Sequence, residues 1–398
     1  MNKIHGLFII LLFVIRTYLN TATLGYCQTI EANTSEDDYS KYVPIGDVLP
    51  EVTAKSAIVI EASTGKILYG RNIDTMHYLA STTKAMTLLV ALEYGNPTDI
   101  VAVSNKAANM EGSTVWLEYD EKVKLQDLLY GMMLVSGNDA AEAIAEHISG
   151  NSSRFAELMT KKAHEIGAEH TNFCNPSGLP NPMHYTTARD MAMITAYGYN
   201  NPEFAKIVST KEYMMKREHD PVLRKVENEN ILLWIYSGGN GVKTGYTDDA
   251  GRCLISAAKR NGIQLISIVF DSVYMWNDSI AMLNYGFQNV RPNVILSAHH
   301  PLTSILVSEG TKSQIKLCTS NEIIVPDFGN GTDDYTISYN IPSHLAADVQ
   351  AGDIVGQADI LYNGKQVGTT DVIAAETVER KSLFQLLYKF YNAIMNGE

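Results

Sequence analysis

A chain of 398 residues, 45% hydrophobic and 19% charged, is long enough for two domains, each with its own core. A formal net charge of −13, with no basic run interleaved with aromatics, argues against a nucleic-acid partner. Four cysteines at 27, 174, 253 and 318, none in a C-x-x-C pair, offer neither a disulfide framework nor a zinc motif.

Residues 1–30 read as an export signal. Lys3 precedes the apolar run GLFIILLFVI (6–15), which is too short to span a bilayer. An uncleaved anchor is the alternative, and Arg16, which interrupts the segment, favours removal. No A-x-A precedes Gln28, and the tyrosine just before Cys27 makes a poor lipoprotein signal. Residues 31–50 are polar and acidic, without helical or strand period, and are expected to be a linker.

SAIVIEAS (56–63), a turn around Gly65 and KILYGRN (66–72) predict a β-hairpin. In YLASTTKAMTLLVALE (78–93), Ala85, Leu88, Leu89 and Leu92 recur at helical spacing behind Ser81 and Lys84. Two helical runs follow in 124–148, separated by Ser136-Gly137-Asn138. PSGLPNP (176–182) predicts a loop, and TTARDMAMITAYGY (186–199) a capped helix. HEIGAEH (164–170) has alanine where a zinc-protease helix needs its second ligand, so no metal or cofactor is expected. NGVKTGYT leads into two strands joined at Asn261-Gly262, and NDSIAMLNYGF (277–287) reads as a helix. Helices segregated beside an antiparallel sheet describe an α+β domain over 51–291.

From 292 to 379 short strand candidates broken by Gly, Pro and Asn, with a hairpin signal in YNGK (362–365), predict a small β-sandwich. Over 380–398 a polar stripe of Ser382, Gln385, Lys389, Asn392 and Asn396 faces Leu383, Phe384, Leu387, Phe390, Tyr391 and Ile394. Such an amphipathic helix could pack on the sandwich, dimerise or lie in a membrane interface. Its aromatic-rich apolar face favours the membrane surface.

Three segments stand in order: Ser81-Thr82-Thr83-Lys84, Ser136-Gly137-Asn138 and Lys243-Thr244-Gly245. Each is weak alone. Ser81 could be an N-cap followed by a solvated lysine, and Ser313 and Lys316 repeat the spacing in a strand candidate. Ser136 could be a helix cap, Asn138 a turn residue and Asp139 the cap of the next helix. A second Ser-Gly-Asn at 149–151 looks like an ordinary helix stop. Together, at a helix start, an interhelical loop and a strand, the three segments resemble the S-x-x-K, S-x-N and K-T-G motifs of the penicillin-recognising serine enzymes.

The likeness is to the serine-type D-Ala-D-Ala carboxypeptidases of peptidase family S11, the low-molecular-weight penicillin-binding proteins. It extends through AIVIEASTGKILYGRN, FCNPSGLP, HYTTARDMA and VKTGYTDDAGRCLISAAKRNG to the sandwich and terminal helix. The resemblance implies a β-lactamase/transpeptidase-like fold. It also implies an exported enzyme that removes the terminal D-alanine of peptidoglycan stem peptides and is acylated by β-lactams. Ser81 would be the nucleophile. Lys84 would be its base, provided that burial and the cation of Lys243 keep it neutral. Ser136 would pass a proton to the leaving amine. Asn138 would hold the substrate backbone, and Lys243 and Thr244 its terminal carboxylate. Gly245 would let substrate lie against the strand. By resemblance, the backbone N–H groups of Ser81 and Tyr246 form the oxyanion hole.

Two positions depart from the family pattern. Many relatives carry an arginine near Met275, and some a basic residue at Glu229, implying a weaker carboxylate grip here. Endopeptidase or transpeptidase side activity fits the same machinery. A β-lactamase would need a deacylating glutamate that TNFCNPSGLPNPMHYTTARD (171–190) lacks. A non-catalytic wall-associated scaffold with a relic site would not be labelled by penicillin.

Overall fold

The computed structural model describes residues 49–217, 224–329, 335–385 and 387–388. The expected signal and nearly all of the linker lie outside these residues, as does most of the terminal helix.

Strands β1 (Ser56–Glu61) and β2 (Ile67–Arg71) form an antiparallel hairpin turned at Gly65, whose φ is +74°. A 3₁₀ turn (Ala80–Thr83) then runs into α1 (Lys84–Tyr94). The apolar spacing predicts a single buried stripe, but every residue from Lys84 to Ala91 is buried. Helices that follow in the chain surround α1, and a helix enclosed on all sides is a core helix.

Next come β3 (Ile100–Ala102), α2 (Asn105–Ala108) and β4 (Lys122–Lys124), with β3 and β4 paired as a ribbon. Helices α3 (Leu125–Leu134), α4 (Asn138–Ser149) and α5 (Ser152–Ile166) follow. Gly150, at φ +78°, stops α4, and Asn151 caps α5 by accepting from Arg154 N. The second Ser-Gly-Asn is therefore the helix stop it resembles. Thr187 caps α6 (Ala188–Gly198), and α7 (Pro202–Ser209) begins with proline at its first turn. A ribbon of β5 (Glu212–Met215) and β6 (Arg224–Glu227) precedes the short α8 (Leu232–Ile235). Strands β7 (Gly239–Thr247), β8 (Gly251–Arg260) and β9 (Ile263–Phe270) and helix α9 (Met275–Gln288) complete this part.

The sheet is antiparallel, in the order β2-β1-β9-β8-β7. Its side chains alternate between two cores, as a period of two requires. Ile58, Ile60, Ile266 and Ile268 pack on the core that holds α1, α3, α4 and α6. Val59, Leu265 and Val269 pack with Met282, Leu283 and Phe287 of α9. Helices thus cover both faces rather than standing beside one. Each such side chain, fully buried, stabilises the fold by about 1.5–3 kcal/mol.

The second part holds β10 (Arg291–Leu296), β11 (Pro301–Ser308), β12 (Gln314–Thr319), β13 (Ile323–Asp327), β14 (Tyr335–Asn340), β15 (His344–Ala346), β16 (Ile354–Tyr362) and β17 (Lys365–Ala374). A six-stranded sheet, β14-β16-β17-β12-β11-β15, and the β10-β13 ribbon share one core around Leu296, Ile315, Leu317, Val325 and Ile360. Asn363 and Gly364, at φ +49° and +79°, make the expected YNGK hairpin turn. The Asn261-Gly262 turn rests on β13, where a Cβ on Gly262 would lie 3.1 Å from Ile324.

At the chain end, Ser382 Oγ accepts from Gln385 N while Gln385 Oε1 accepts from Ser382 N. This reciprocal cap starts the helical residues 383–385 and 387–388. Leu383, Phe384, Leu387 and Tyr388 are exposed there. Among the described residues, no helix is long and apolar enough to cross a membrane.

Candidate active site

Ser81 sits inside the 3₁₀ turn, not at an N-cap, and no side-chain cap is made at Leu79 or Thr83. The turn begins from a left-handed Ala80 at φ +48°, an unfavourable conformation for a residue with a Cβ. Three contacts hold it. Thr82 Oγ1 donates to Leu79 O at 2.6 Å, and Thr83 Oγ1 to Ala80 O at 2.8 Å. Gly178, itself at φ +90°, presses on the Ala80 carbonyl so closely that a Cβ there would lie 1.8 Å from the oxygen.

Behind Thr83 stands His184, whose Nδ1 accepts from Cys174 N at 3.0 Å. That bond makes Nδ1 an acceptor, so Nε2 carries the proton and donates to Thr83 Oγ1 at 2.8 Å. Burial, helped by the charge of Lys84, lowers the His184 pKa to about 4 and keeps the ring neutral.

Lys84 is fully buried, which rules out a solvated lysine. Its Nζ lies 2.9 Å from Ser81 Oγ, 2.7 Å from Asn138 Oδ1 and 2.6 Å from Ser177 O. Burial pushes the ammonium well below the usual lysine value, and the charge of Lys243 pushes it further. Glu229 and Asp139 act in the opposite sense.

Asn138, the first residue of α4, also donates from Nδ2 to Glu111 O at 2.6 Å. Its amide therefore ties Lys84 to the 111–117 loop. Neither side-chain cap proposed for α4 forms, because the N-cap is Gly137. The Asp139 carboxylate instead accepts from Val115 N, Leu117 N and Ala140 N at 2.9–3.1 Å. Ser136 is buried, with a left-handed φ of +62°.

Strand β7 closes the other side. Lys243 is 1% exposed; its Nζ lies 3.3 Å from Thr244 Oγ1 and 3.9 Å from Glu229 Oε2. Burial lowers its pKa to about 8, against the pull of Glu229. At Gly245 the strand also meets the serine turn. The space the glycine's missing Cβ leaves is filled by Ser81 N and Thr82 N, each 3.0 Å from where that atom would be. The strand thus abuts the serine turn itself. Tyr246 is exposed, and its hydroxyl donates to Asp248 Oδ1 at 2.9 Å. Met275 packs on the second core.

All three motif segments meet here: Lys84 touches Ser81 and Asn138, and β7 abuts the Ser81 turn. Among the described residues there is no group of three His, Cys, Asp or Glu side chains that could hold a metal.

A family model described as D-alanyl-D-alanine carboxypeptidase, peptidase S11, matches residues 45–273, more than half of the chain. The chain belongs to the peptidase S11 family. A model for the C-terminal domain of penicillin-binding protein 5 matches residues 292–380. D-alanyl-D-alanine carboxypeptidase DacF of Bacillus subtilis is 33% identical over 343 residues, 84% of this chain and 88% of that protein. DacA of Haemophilus influenzae is 30% identical over 392 residues, covering 95% and 98%. The structure of penicillin binding protein 5 from Haemophilus influenzae superimposes with a TM-score of 0.60 at 31% identity, over 84% of this chain and 100% of that one. This S11 chain therefore has the transpeptidase-like α+β domain followed by the β-rich C-terminal domain.

Several residues that shape the site escaped the sequence. Asn175 Oδ1 accepts from Ser177 N, Gly178 N and Leu179 N, folding the loop that brings Ser177 O to Lys84. An asparagine before proline signals a turn, but not which lysine the turn serves.

Proposed function

We propose that this chain is an exported serine-type D,D-carboxypeptidase that removes the terminal D-alanine from peptidoglycan stem peptides. The observation that carries the reading is the set of oxygens around Lys84 Nζ. A neutral amine has two N–H groups and one lone pair. The carbonyls of Asn138 and Ser177 can only accept, so they take the two N–H groups. The lone pair is left for the Ser81 hydroxyl at 2.9 Å.

In the reaction, Ser81 Oγ attacks the carbonyl carbon as its proton passes to Lys84. The N–H groups of Ser81 and Tyr246 hold the oxyanion, a donor of this kind typically contributing about 2.7–4 kcal/mol. The proton returns through Ser136 to the amine of the departing D-alanine as the C–N bond breaks. Water then cleaves the ester, freeing Ser81 and the shortened peptide. Asn138 keeps its second Nδ2–H for the substrate backbone, while Lys243 and Thr244 take the carboxylate. Gly245 keeps β7 close to both serine turn and substrate.

The peptidase domain spans 51–291 and the sandwich 292–379 in this reading. The 1–30 segment directs export, and 380–398 rests by its apolar face on the outer face of the cytoplasmic membrane. β-Lactams, which present a carbonyl and a carboxylate in the same relation, acylate Ser81. A β-lactamase reading is disfavoured because the 171–190 segment has no glutamate to activate a deacylating water.

Mass spectrometry of the intact protein after benzylpenicillin tests the assignment. One adduct on the wild type, and none on Ser81→Ala, is expected. Rapid drug turnover without an adduct would favour a β-lactamase; an unlabelled, correctly folded wild type would favour a scaffold.

A further inference from the structure

Glu229 places a carboxylate on the pair of donors that the reaction needs for its substrate. Thr244 Oγ1 donates to Glu229 Oε2 at 3.2 Å, and Lys243 Nζ lies 3.9 Å from the same oxygen. Among the described residues, this is the one ion pair that Lys243 makes.

The arrangement is built rather than incidental. Glu229 N donates to Leu134 O at 3.0 Å, and Asn228 N to Lys211 O at 2.8 Å. Asn228 Nδ2 donates to Thr210 O at 3.0 Å, and Asn230 N to Asn228 Oδ1 at 2.9 Å. Asn228 and Asn230 are buried, whereas the Glu229 side chain is 47% exposed. A firmly held backbone thus displays one acidic side chain at the open end of the Lys243-Thr244 pair.

We propose that Glu229 is an internal competitor for the carboxylate subsite, weakening the enzyme's grip on the free terminal carboxylate of a stem peptide while leaving a carboxylate-free end unaffected. This rests on the assignment of Lys243 and Thr244 to the substrate carboxylate. A free terminal carboxylate must displace Glu229 from both donors and then share their field with it. A leaving group with a neutral, amidated end, or an amine linked through a side chain, meets no such repulsion.

Binding to the acylation-dead Ser81→Ala protein tests this without needing turnover. The ligands are diacetyl-L-Lys-D-Ala-D-Ala and the same peptide ending in D-alaninamide, titrated calorimetrically into Ser81→Ala and Ser81→Ala/Glu229→Gln. Like charges about 4–5 Å apart near a surface make an effect of about tenfold reasonable. Glu229→Gln is therefore expected to tighten the acid about tenfold and to move the amide by less than about twofold. An equal shift for both peptides, or none for the acid, would overturn the inference while leaving the proposed activity standing. If neither peptide bound either protein, the activity and the inference would fall together.

Discussion

Replacing Gly178 by alanine should disable Ser81 from a distance. The added Cβ would lie 1.8 Å from Ala80 O and 2.4 Å from Ala80 C, against a closest real approach of 3.0 Å. The Ala80 peptide must therefore recede by about 1.2 Å, with little slack, since Thr83 Oγ1, which donates to that carbonyl and is itself held by His184, lies 2.9 Å from the added Cβ. Ala80 is the residue before the nucleophile, and its left-handed φ sets the turn that presents Ser81 Oγ to Lys84. A misplacement of about 1 Å typically costs about 100-fold in rate. Overpacking and the left-handed backbone at position 178 together should cost roughly 2–4 kcal/mol of stability. Second-order acylation by a fluorescent penicillin measures the first effect, and urea unfolding the second. Gly150→Ala is the control: it has the same sign of φ, +78°, but nothing within 4 Å, so it should leave acylation unchanged. Folded Gly178→Ala acylating within about threefold of wild type would refute the reasoning.

Removing the cation of Lys243 (Lys243→Met) relieves one of the effects that lower Lys84, so the acid limb of acylation against pH should move to higher pH. A limb that stays in place would separate the two lysines. His184 titrates at about 4 when folded and near 6.5 when unfolded, so unfolding takes up a proton between these values. Its contribution is full above pH 6.5 and is lost as pH falls to 4, by roughly 3 kcal/mol in all. The fall should be shallower in His184→Gln, as thermal unfolding across that range would reveal. Asp139→Ala leaves the amides of Val115 and Leu117 without their acceptor in a buried loop, and should cost at least about 3 kcal/mol in urea unfolding.

What the sequence made legible was local or periodic. The hairpin around Gly65, the Asn261-Gly262 and Asn363-Gly364 turns and the helix stop at Gly150 all depend on residues within a few positions of one another. The order of the three motifs pointed to one site because each sits on an element readable by itself. Tertiary approach was not legible. Nothing near Gly178 signals that its empty side faces Ala80, nearly a hundred residues earlier, and Gly245 looked equally suited to facing a ligand. The spacing in α1 showed one apolar stripe because Thr87 and Lys84 are polar. Their partners, Pro176 O for Thr87 and Ser177 O for Lys84, come from a distant loop. Asp139 looked like a cap for the same reason: its true acceptor role requires knowing where Val115 lies.

Whether the amine of Lys84 is unprotonated at working pH is best read directly. The protein can be labelled with ¹³C at the lysine ε-carbons, the Lys84 signal assigned by its loss in Lys84→Arg, and its titration followed by NMR beside the acylation rate. The Lys84 signal should titrate far below the ordinary 10.5, and acylation should rise through the same pH range. An ordinary lysine titration, with acylation already at full speed while the ammonium persists, would contradict the account.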